Sequence, residues 1–485
     1  MADNASRSRQ LIAEHRTRML GVGDLRKTLF ALSLPAIVGM MSNAFYNVVD
    51  SIFIGRIGTT AIAAIAVAFP IFALVAAVGV SFGIGTSSFV SRALGAGRKD
   101  QAERAIMVGL FGVIGFGLAF TVTGRVLIEP VMRAFGASEA VLPVAVEYGQ
   151  VLITFSLFPM LKMFFNNLVR AEGNAKWSMA SMITGAVLNI ILDPILIFGL
   201  GLGIRGAAIA TAISQAVAFS MLGGYFLFRF SYVRLTLKSL SSGIFRPHPP
   251  IFRQILAIGS PMFLRQALGS FAIALLNVSA APFGDSAVAS VGILFRLLIF
   301  GMMPIYGFGQ GYQPMAGYNY GAKNFSRLFG AMKLSIVWTA FYAGALTLVA
   351  LTFAPQILSW FTTDPEVIRI GARGLRMVYS VFPLFGFQVI ALISFQALGK
   401  PLPAMMLGIA RQFLFLVPTV LILSNTFGLP GILASQGVAD LLTSLLAIAL
   451  GYQLVRSLQQ EAHIIQVDET PSLERANEAV EGLRA

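Results

Sequence analysis

The feature that most constrains this chain is a series of twelve apolar runs, each near the roughly 20 residues that an α-helix needs to cross a bilayer. The runs begin near Thr28, Ala61, Ala105, Pro143, Ser178, Ala207, Ile251, Ala287, Met332, Gly374, Leu402 and Gly431. Hydrophobic residues make up 56% of the 485 residues and charged residues 12%, too few for a water-soluble surface of this size. The sequence therefore predicts an all-α membrane protein with 12 transmembrane helices.

The composition also excludes several kinds of chemistry. The chain has no cysteine, which excludes disulfides and thiolate metal sites. Its three histidines, His15, His248 and His463, lie outside the predicted spans, so they cannot form a catalytic or metal cluster within the bundle. We therefore expect no enzymatic activity and no cofactor beyond a coupling ion.

Basic residues are distributed unevenly between alternate connections. Lys and Arg are concentrated in the N-terminal segment, in the connection 92–104 and in the central stretch 229–253. Because cytoplasmic loops retain positive charge and the number of spans is even, we expect both termini to be cytoplasmic, in a cell (inner) membrane. The first residues lack the apolar core of a signal peptide. The same bias explains the net charge of +14 without nucleic acid as a partner.

The chain repeats itself at a shift of 226 residues, which is 261 minus 35 for the pair Pro35 and Pro261. At this shift, Gly58 falls on Gly284, Gly83 on Gly309, Gly95 on Gly321 and Gly173 on Gly399. Each half contains six helices and starts on the same side. We therefore expect two six-helix lobes related by a pseudo-two-fold axis along the membrane normal, with a cleft between them.

The repeat and the polar central stretch divide the chain into five parts. These are a cytoplasmic N-terminal tail (1–27), an N-lobe (28–230), a cytoplasmic linker (231–250), a C-lobe (251–456) and a cytoplasmic C-terminal tail (457–485). Transporters bind substrate in such a cleft, so we expect a transporter. A receptor or a duplicated scaffold without transport is the alternative.

Polar side chains recur at one depth in the first half. Asn43, Tyr46, Asn47 and Asp50 lie on one face of the first helix, and Asn189 and Asp193 are one turn apart on the fifth helix. Asp50 is five residues before Gly55, Asp193 six before Gly199, and Thr211 five after Gly206. At ~1.5 Å per residue, these groups lie ~7–9 Å below the outer surface.

Two carboxylates close together in a low dielectric cannot both ionise at low cost, so the pair would accept a proton or a cation. Carboxylate, amide and hydroxyl oxygens would also suit Na⁺ at Asp50 and Asp193. The alternatives are a helix kink at Asp193-Pro194 with a self-satisfied carboxylate, and a pair between Asp50 and Arg56.

The second half has the opposite sign. Arg265, Arg296 and Arg411 fall inside predicted spans, whereas Asp440 is the acidic residue at comparable depth. We expect Asp440 to pair with an arginine. The other arginines either reach an interface or helix-end carbonyls, or line the cavity and meet an anionic group of the substrate.

The sequence resembles the multidrug and toxic compound extrusion (MATE) family of the MOP superfamily. The likeness covers Thr28 to Arg456 and is carried by Leu34-Pro35, Tyr46 to Arg56, Leu94 to Gly97, Arg170 to Asn174 and Asn189 to Pro194. It implies two lobes in a V, alternating access, and export of amphipathic, often cationic, compounds driven by inward movement of H⁺ or Na⁺.

The resemblance also implies roles for individual residues. It is to the branch with an ion site in the N-lobe, and the network of that branch resembles Asp50, Asn189, Asp193 and Thr211 here. Asn43, Tyr46, Tyr148 and Asn166 are at positions that line the cavity of that branch, and Pro35 is where its first helix bends. Other branches have carboxylates on the seventh and tenth helices, where this chain has Arg265 and Gln388. Met163 stands where a polar residue is expected.

We therefore predict a multidrug efflux antiporter that exchanges a small-molecule substrate for H⁺ or Na⁺ in the lipid bilayer, acting as a monomer. The alternative is an exporter of an anionic metabolite or lipid-linked precursor that uses the C-lobe arginines. A major-facilitator transporter also has two parallel halves, but its second connection pairs an Asp with basic residues. Here that connection reads Ser91-Arg92-Ala93-Leu94-Gly95-Ala96-Gly97-Arg98-Lys99.

Overall fold

The structure, a computed structural model, describes residues 2–228, 230–233 and 249–482. Within these ranges the chain is helical and contains no strand. The helices of the first half are α1 (Ala2–Val22), α2 (Leu25–Gly55), α3 (Thr59–Gly95), α4 (Lys99–Ala134), α5 (Leu142–Thr154), α6 (Leu157–Ala171), α7 (Ala175–Gly199) and α8 (Gly203–Leu227). Those of the second half are α9 (Pro249–Ala280), α10 (Asp285–Gly321), α11 (Phe325–Ser359), α12 (Pro365–Tyr379), α13 (Pro383–Ala397), α14 (Pro401–Phe427) and α15 (Leu429–Gly482).

Twelve membrane spans account for these helices. In the described part of the chain, nine helices are each long and apolar enough to cross a membrane: α2, α3, α4, α7, α8, α10, α11, α14 and α15. Two further spans are bent pairs, α5 with α6 at 48° and α12 with α13 at 52°. The 32-residue α9 completes the set. The predicted fold of 12 transmembrane helices in two six-helix lobes is confirmed.

The two bent spans break at equivalent places. The second helix of each pair begins at Leu157 or at Pro383, which are 226 residues apart. Pro383 has no N–H to donate, so a break in the helix immediately before it costs little. In the first half the break is stabilised by a contact between the hydroxyls of Ser156 and Thr121, 3.0 Å apart. The repeat therefore extends to irregular backbone.

Turns between helices follow the same repeat. Gly58 and Gly284 have positive φ (144° and 92°), as do Gly173 and Gly399 (82° and 72°). Beyond Gly399 the shift increases by one, because Gly201 matches Gly428 at an interval of 227 (φ 65° and 62°). The second half therefore contains one extra residue between positions 399 and 428. A π-helical segment of α14, Ala410–Leu416, lies in this interval and can accommodate it.

The lobes meet through α2 against α10 and α3 against α9. We call the end of the bundle that contains Glu172 and Phe230–Val233 the linker end, and the opposite end the far end. At the linker end, a Cβ on Gly95 would collide with the carbonyl of Tyr318, and a Cβ on Gly321 with the carbonyl of Arg92. Because 95 plus 226 is 321 and 92 plus 226 is 318, these two contacts are images of each other. The linker end is therefore closed by backbone contacts between the lobes.

Three expectations differ from the structure. The segments 1–27 and 457–485, assigned as tails, contain α1 and the end of α15. The tenth predicted run begins at Gly374, whereas its helix α12 begins at Pro365. The exposed side chains of Arg369, Arg373 and Arg376 occupy one face of α12 and hid its helical start from a hydropathy reading. Most of the predicted linker, 234–248, lies outside the described residues.

Candidate functional site

The polar stripe of α2 faces the fifth span. Helix α2 packs along α7, with Tyr46 buried, Asp50 and Asn43 partly buried and Asn47 exposed. The Asn47 amide donates to the Asn43 carbonyl one turn earlier (2.8 Å). The side-chain oxygen of Asn43 is buried and receives no hydrogen bond from the described residues. The stripe therefore presents acceptor oxygens to the interior of the N-lobe.

Asn189 and Asp193 stack one turn apart on α7, as the spacing predicted. Both are buried, with 1% and 0% of their surface exposed. The Asn189 amide donates to Asp193 Oδ1 (3.2 Å) and to the hydroxyl of Thr211 on α8 (3.4 Å). Pro194 follows directly, and α7 continues from it as a π-helical turn over Ile195–Gly199. Asn189 thus joins α7 to α8.

The carboxyl groups of Asp50 and Asp193 are in hydrogen-bonding contact. Such a contact between two carboxyl groups exists only when one of them carries a proton, because ionised carboxylates are acceptors only. Asp193 is fully buried, whereas Asp50 is partly exposed, so Asp50 is the member nearer to solvent. In the described residues, Asp50 makes no ion pair with Arg56, and Asp193 is not self-satisfied beside Pro194. Asp50, Asn189, Asp193 and Thr211 are therefore in one cluster.

Further groups surround this cluster. Tyr46 contacts the side chain of Gln215 on α8, and Tyr148 on α5 is close enough to Asp50 and Asp193 to interact electrostatically. Gln215 was not predicted, although it is four residues after Thr211 and hence on the same face of α8. That spacing is the signal that could have identified it.

The polar side chains of α6 form a separate row. Lys162 is buried, with 3% of its surface exposed, one turn before Asn166. Asn166 is 4% exposed, and its side-chain oxygen contacts Arg170, which also donates to Asn167 (2.9 Å) and Ser178 (3.3 Å). Asn166 is therefore held within the lobe by Arg170. Lys162 was missed, although a lysine within an apolar run is itself a signal.

The three arginines of the C-lobe have different surroundings. Arg411 forms a two-point ion pair with Asp440 (Nε to Oδ1 2.6 Å, Nη2 to Oδ2 3.3 Å), so Asp440 does pair with an arginine. Arg265 donates to the hydroxyl of Tyr306 (2.7 Å). Arg296 is exposed and has no ion pair among the described residues. Gln388 donates to the Asp440 carbonyl and the Ser444 hydroxyl (both 2.6 Å).

The N-lobe cluster offers oxygen atoms from two carboxyls, an amide and a hydroxyl. Oxygen ligands are those that hard cations prefer, so the site suits a proton or Na⁺. In the part of the chain that the structure describes, no group of three or more His, Asp and Glu residues could hold a metal ion. The arrangement can therefore exchange one small cation, and it resembles no hydrolytic or redox centre.

Two parallel six-span repeats, with a buried carboxyl pair in one lobe, define a duplicated twelve-helix membrane transporter. The chain belongs to the MATE family, because the MatE family model matches residues 35–195 and 261–422. These two segments begin at Pro35 and Pro261, from which the internal shift of 226 was measured.

Several known proteins are similar over almost the whole chain. The multidrug export protein MepA of Staphylococcus haemolyticus is 30% identical over 444 residues, which is 91% of this chain and 97% of that protein. MepA of Staphylococcus aureus (strain NCTC 8325 / PS 47) is 30% identical over 433 residues, 88% of this chain and 94% of its own length.

Solved structures of similar proteins have the same fold. An outward-facing multidrug resistance MATE transporter of the MOP superfamily superimposes with a TM-score of 0.85 at 28% identity, covering 91% of this chain and 98% of that one. A MOP superfamily transporter from Pyrococcus furiosus gives 0.85 at 29% identity with the same coverage. It is described as having a binding pocket of reverse polarity that suggests a different function. The similarity therefore establishes the family and fold, and the similar proteins named as multidrug exporters support a role in efflux.

Proposed function

We propose that this chain is a secondary antiporter that exports amphipathic, cationic drugs or toxic compounds in exchange for H⁺, with Na⁺ as the alternative coupling ion. The observation that carries the proposal is the contact between the Asp50 and Asp193 carboxyl groups inside the N-lobe. The names of the similar MepA proteins support multidrug export.

The carboxyl pair provides a reason for exchange. With one proton shared, the pair carries one negative charge and the two side chains attract each other. Loss of that proton leaves two negative charges in a low dielectric, which repel unless a cation compensates them. A proton, Na⁺ and a cationic substrate therefore compete for the same charge. Because each one lowers the affinity for the others, binding on one side of the membrane drives release on the other.

The closed linker end fits one state of an alternating-access cycle. In this state the contacts of Gly95 with Tyr318 and of Gly321 with Arg92 seal one side. Reaching the opposite state requires these helices to separate, and Pro35 within α2 is the bend that we propose as the hinge. We place the linker end and both termini in the cytoplasm of a cell (inner) membrane and propose a monomer, with the domain boundaries given above.

The cavity of this transporter is proposed to include the α2 stripe (Asn43, Tyr46, Asn47), Tyr148 of α5 and Asn166 of α6. The C-lobe arginines are proposed to face it from the other side. Export of an anionic metabolite or lipid-linked precursor is the weaker alternative. Arg411 is compensated by Asp440, which leaves Arg265 and Arg296 as the basic side chains available to such a substrate.

Flux in proteoliposomes tests the proposal. Vesicles loaded at acidic pH are diluted into alkaline buffer containing ethidium, a fluorescent cation, so that outward proton flow drives ethidium uptake. Asp50→Asn and Asp193→Asn should each abolish this uptake. Glu147→Gln, which removes an exposed acid from α5 in the same lobe, should leave it unchanged.

The same vesicles distinguish the coupling ions. An outward sodium gradient at equal pH should drive uptake only if Na⁺ replaces the proton. Normal gradient-driven uptake by both asparagine variants would overturn the mechanism. Monodisperse elution and an unchanged thermal unfolding temperature establish that each variant is folded.

A further inference from the structure

A second polar pocket lies within the C-lobe, away from the carboxyl pair. It has a volume of about 380 Å³ including its open mouth, which is near the lower end for small-molecule sites. The side chains used in the argument below are contributed by α9, α10, α13, α14 and α15: Arg265, Tyr306, Phe385, Gln388, Arg411 and Thr443. The pocket is therefore bounded by five different helices.

The charges at this pocket do not cancel. The Arg411 guanidinium is matched by Asp440, which is 2% exposed and bonded at both oxygens. Arg265 has no carboxylate partner among the described residues; its Nη1 donates to the Tyr306 hydroxyl, and its buried Nε donates to no described group. Two cations and one anion leave one positive charge. A ligand with one negative charge would neutralise the pocket and give Arg265 Nε an acceptor.

The walls of the pocket suit a flat apolar body beside that charge. The Arg265 guanidinium lies over the Tyr306 ring and the Arg411 guanidinium over the Phe385 ring, each 5.1 Å from the ring centroid. The two rings contact each other edge to face, with centroids 5.9 Å apart. An aromatic ligand could stack or pack against these rings while its anionic group reaches Arg265.

The scaffold does not require these charges. At the shift of 226, Arg265 corresponds to Gly39 and Tyr306 to Val80 in the other lobe, which has the same helix arrangement without them. Arg411 lies in the π-helical segment of α14, within the interval where the second half has its extra residue. Such segments occur often at functional sites. The charged pocket is thus an addition to the repeated fold.

We propose that this pocket, with Arg265 as its anion-binding side chain, is a subsite for the single anionic group of a flat, amphipathic compound, such as an aromatic carboxylate. It rests on the proposed function in that the compound is cargo of the same transporter. The subsite extends the range of cargo from cations to zwitterions and monoanions. An anionic lipid headgroup presents the same chemistry, and the experiment separates the two sources.

Equilibrium dialysis of the full-length protein in phosphatidylcholine nanodiscs, with no ion gradient, tests this proposal. The probes are naphthoate and the matched cation naphthyl-trimethylammonium. Arg265→Gln should weaken naphthoate binding about 10- to 100-fold, because a charge-assisted hydrogen bond is lost. It should leave the cationic probe unchanged. Arg253→Gln, which removes an exposed arginine from the same helix, should change neither probe by more than about twofold.

Arg265→Lys keeps the positive charge but not the two-point geometry, so naphthoate binding should be intermediate between wild type and Arg265→Gln. Phosphatidylglycerol added to the nanodiscs should displace naphthoate from wild type if a lipid headgroup occupies the site, and should not if the ligand is a free aromatic anion. Equal naphthoate affinity of wild type and Arg265→Gln would overturn the proposal, as would equal loss in Arg253→Gln. If Arg265→Gln does not fold, wild-type preference for the cationic probe over naphthoate would overturn it.

Binding without a gradient is independent of coupled flux. Failure of the carboxylate mechanism would leave an Arg265-dependent affinity for naphthoate intact. Conversely, proton-driven ethidium uptake with no naphthoate binding would reject the subsite alone.

Discussion

Lys323 adopts the left-handed backbone conformation (φ 56°) that Gly97 adopts (φ 71°) at the equivalent place in the first half of the chain. Each residue follows the end of a long helix, α3 or α10, at the linker end. Glycine takes this conformation without steric cost, whereas a residue with a Cβ is strained by roughly 1 kcal/mol. The turn in the second half is therefore the more strained of the two.

Replacing Lys323 by glycine should relieve that strain. We expect Lys323→Gly to raise the free energy of unfolding by about 1 kcal/mol, measured by denaturant or thermal unfolding in detergent. Lys323→Ala is the matched control, since it removes the charge and keeps the Cβ. A gain of the same size in Lys323→Ala would assign the effect to the lysine charge instead of the backbone.

The ion pair of Arg411 with Asp440 should be sensitive to the loss of one partner. Asp440→Asn leaves the guanidinium largely buried without its counter-charge, so we expect a loss of about 3–5 kcal/mol in unfolding free energy. Arg411→Met combined with Asp440→Leu removes both charges and should cost less than Asp440→Asn alone. Unfolding of both single variants and the double variant measures the coupling, and simple additivity would contradict it.

Glu172, just after α6, is buried beneath a cluster of hydrogen-bond donors at the linker end. Its carboxylate accepts from the hydroxyls of Tyr225 (3.0 Å) and Ser231 (2.5 Å) and from the backbone N–H groups of Tyr232 (3.2 Å) and Val233 (3.1 Å). Burial raises the pKa of Glu172 above its ordinary value of 4.5, and these hydrogen bonds oppose the rise without cancelling it. The folded protein therefore holds this proton more tightly than the unfolded chain.

That difference predicts a pH dependence of stability. Because the folded-state pKa is raised, the unfolded chain releases the Glu172 proton first as the pH rises. The contribution of Glu172 to stability should therefore fall from about pH 4.5 up to the raised pKa, and be constant above it. The difference in unfolding free energy between wild type and Glu172→Gln, measured across this range, isolates the effect. A difference that grows with pH would show that the hydrogen bonds outweigh burial.

Substitution at the crossing of the lobes should hold the linker end open. A valine at Gly95 would collide with the Tyr318 backbone, so Gly95→Val should destabilise the closed state relative to the open one. Gly115→Val is the control, because a Cβ on Gly115 has open space around it in α4. Reduced ethidium transport by Gly95→Val, with transport by Gly115→Val preserved, is the expected result.

The absence of cysteine allows the opening to be measured directly. Spin labels at Ala96→Cys and Ala322→Cys, two exposed and repeat-related positions at the linker end, report the distance between the lobes. The distance distribution should shift to longer values in Gly95→Val. An unchanged distribution would mean that the helices accommodate the larger side chain without separating.

Much of the fold could be predicted because hydropathy and the internal shift each report a single periodic property. The apolar runs gave the number of spans, and the glycine landmarks gave the repeat. The start of α12 could not be predicted in this way, since three exposed arginines lower its local hydropathy. The helices α1 and the end of α15 were missed because polar helices have no apolar run.

The candidate site shows a similar division. Asp50 and Asp193 were placed at one depth by counting residues from the ends of their helices, which needs no tertiary information. Gln215 was missed because sequence spacing does not show which face of α8 meets α2. Asp440 was expected to pair with an arginine, but choosing Arg411 over Arg265 requires the packing of α14 on α15.

The mirrored contacts of Gly95 and Gly321 have a consequence for how the protein can move. Each helix end supplies both the small residue and the carbonyl against which the other small residue rests, so neither crossing can part while the other stays in place. Passage through this side is consequently an all-or-none event, and a leak through half of the seal has no structural route.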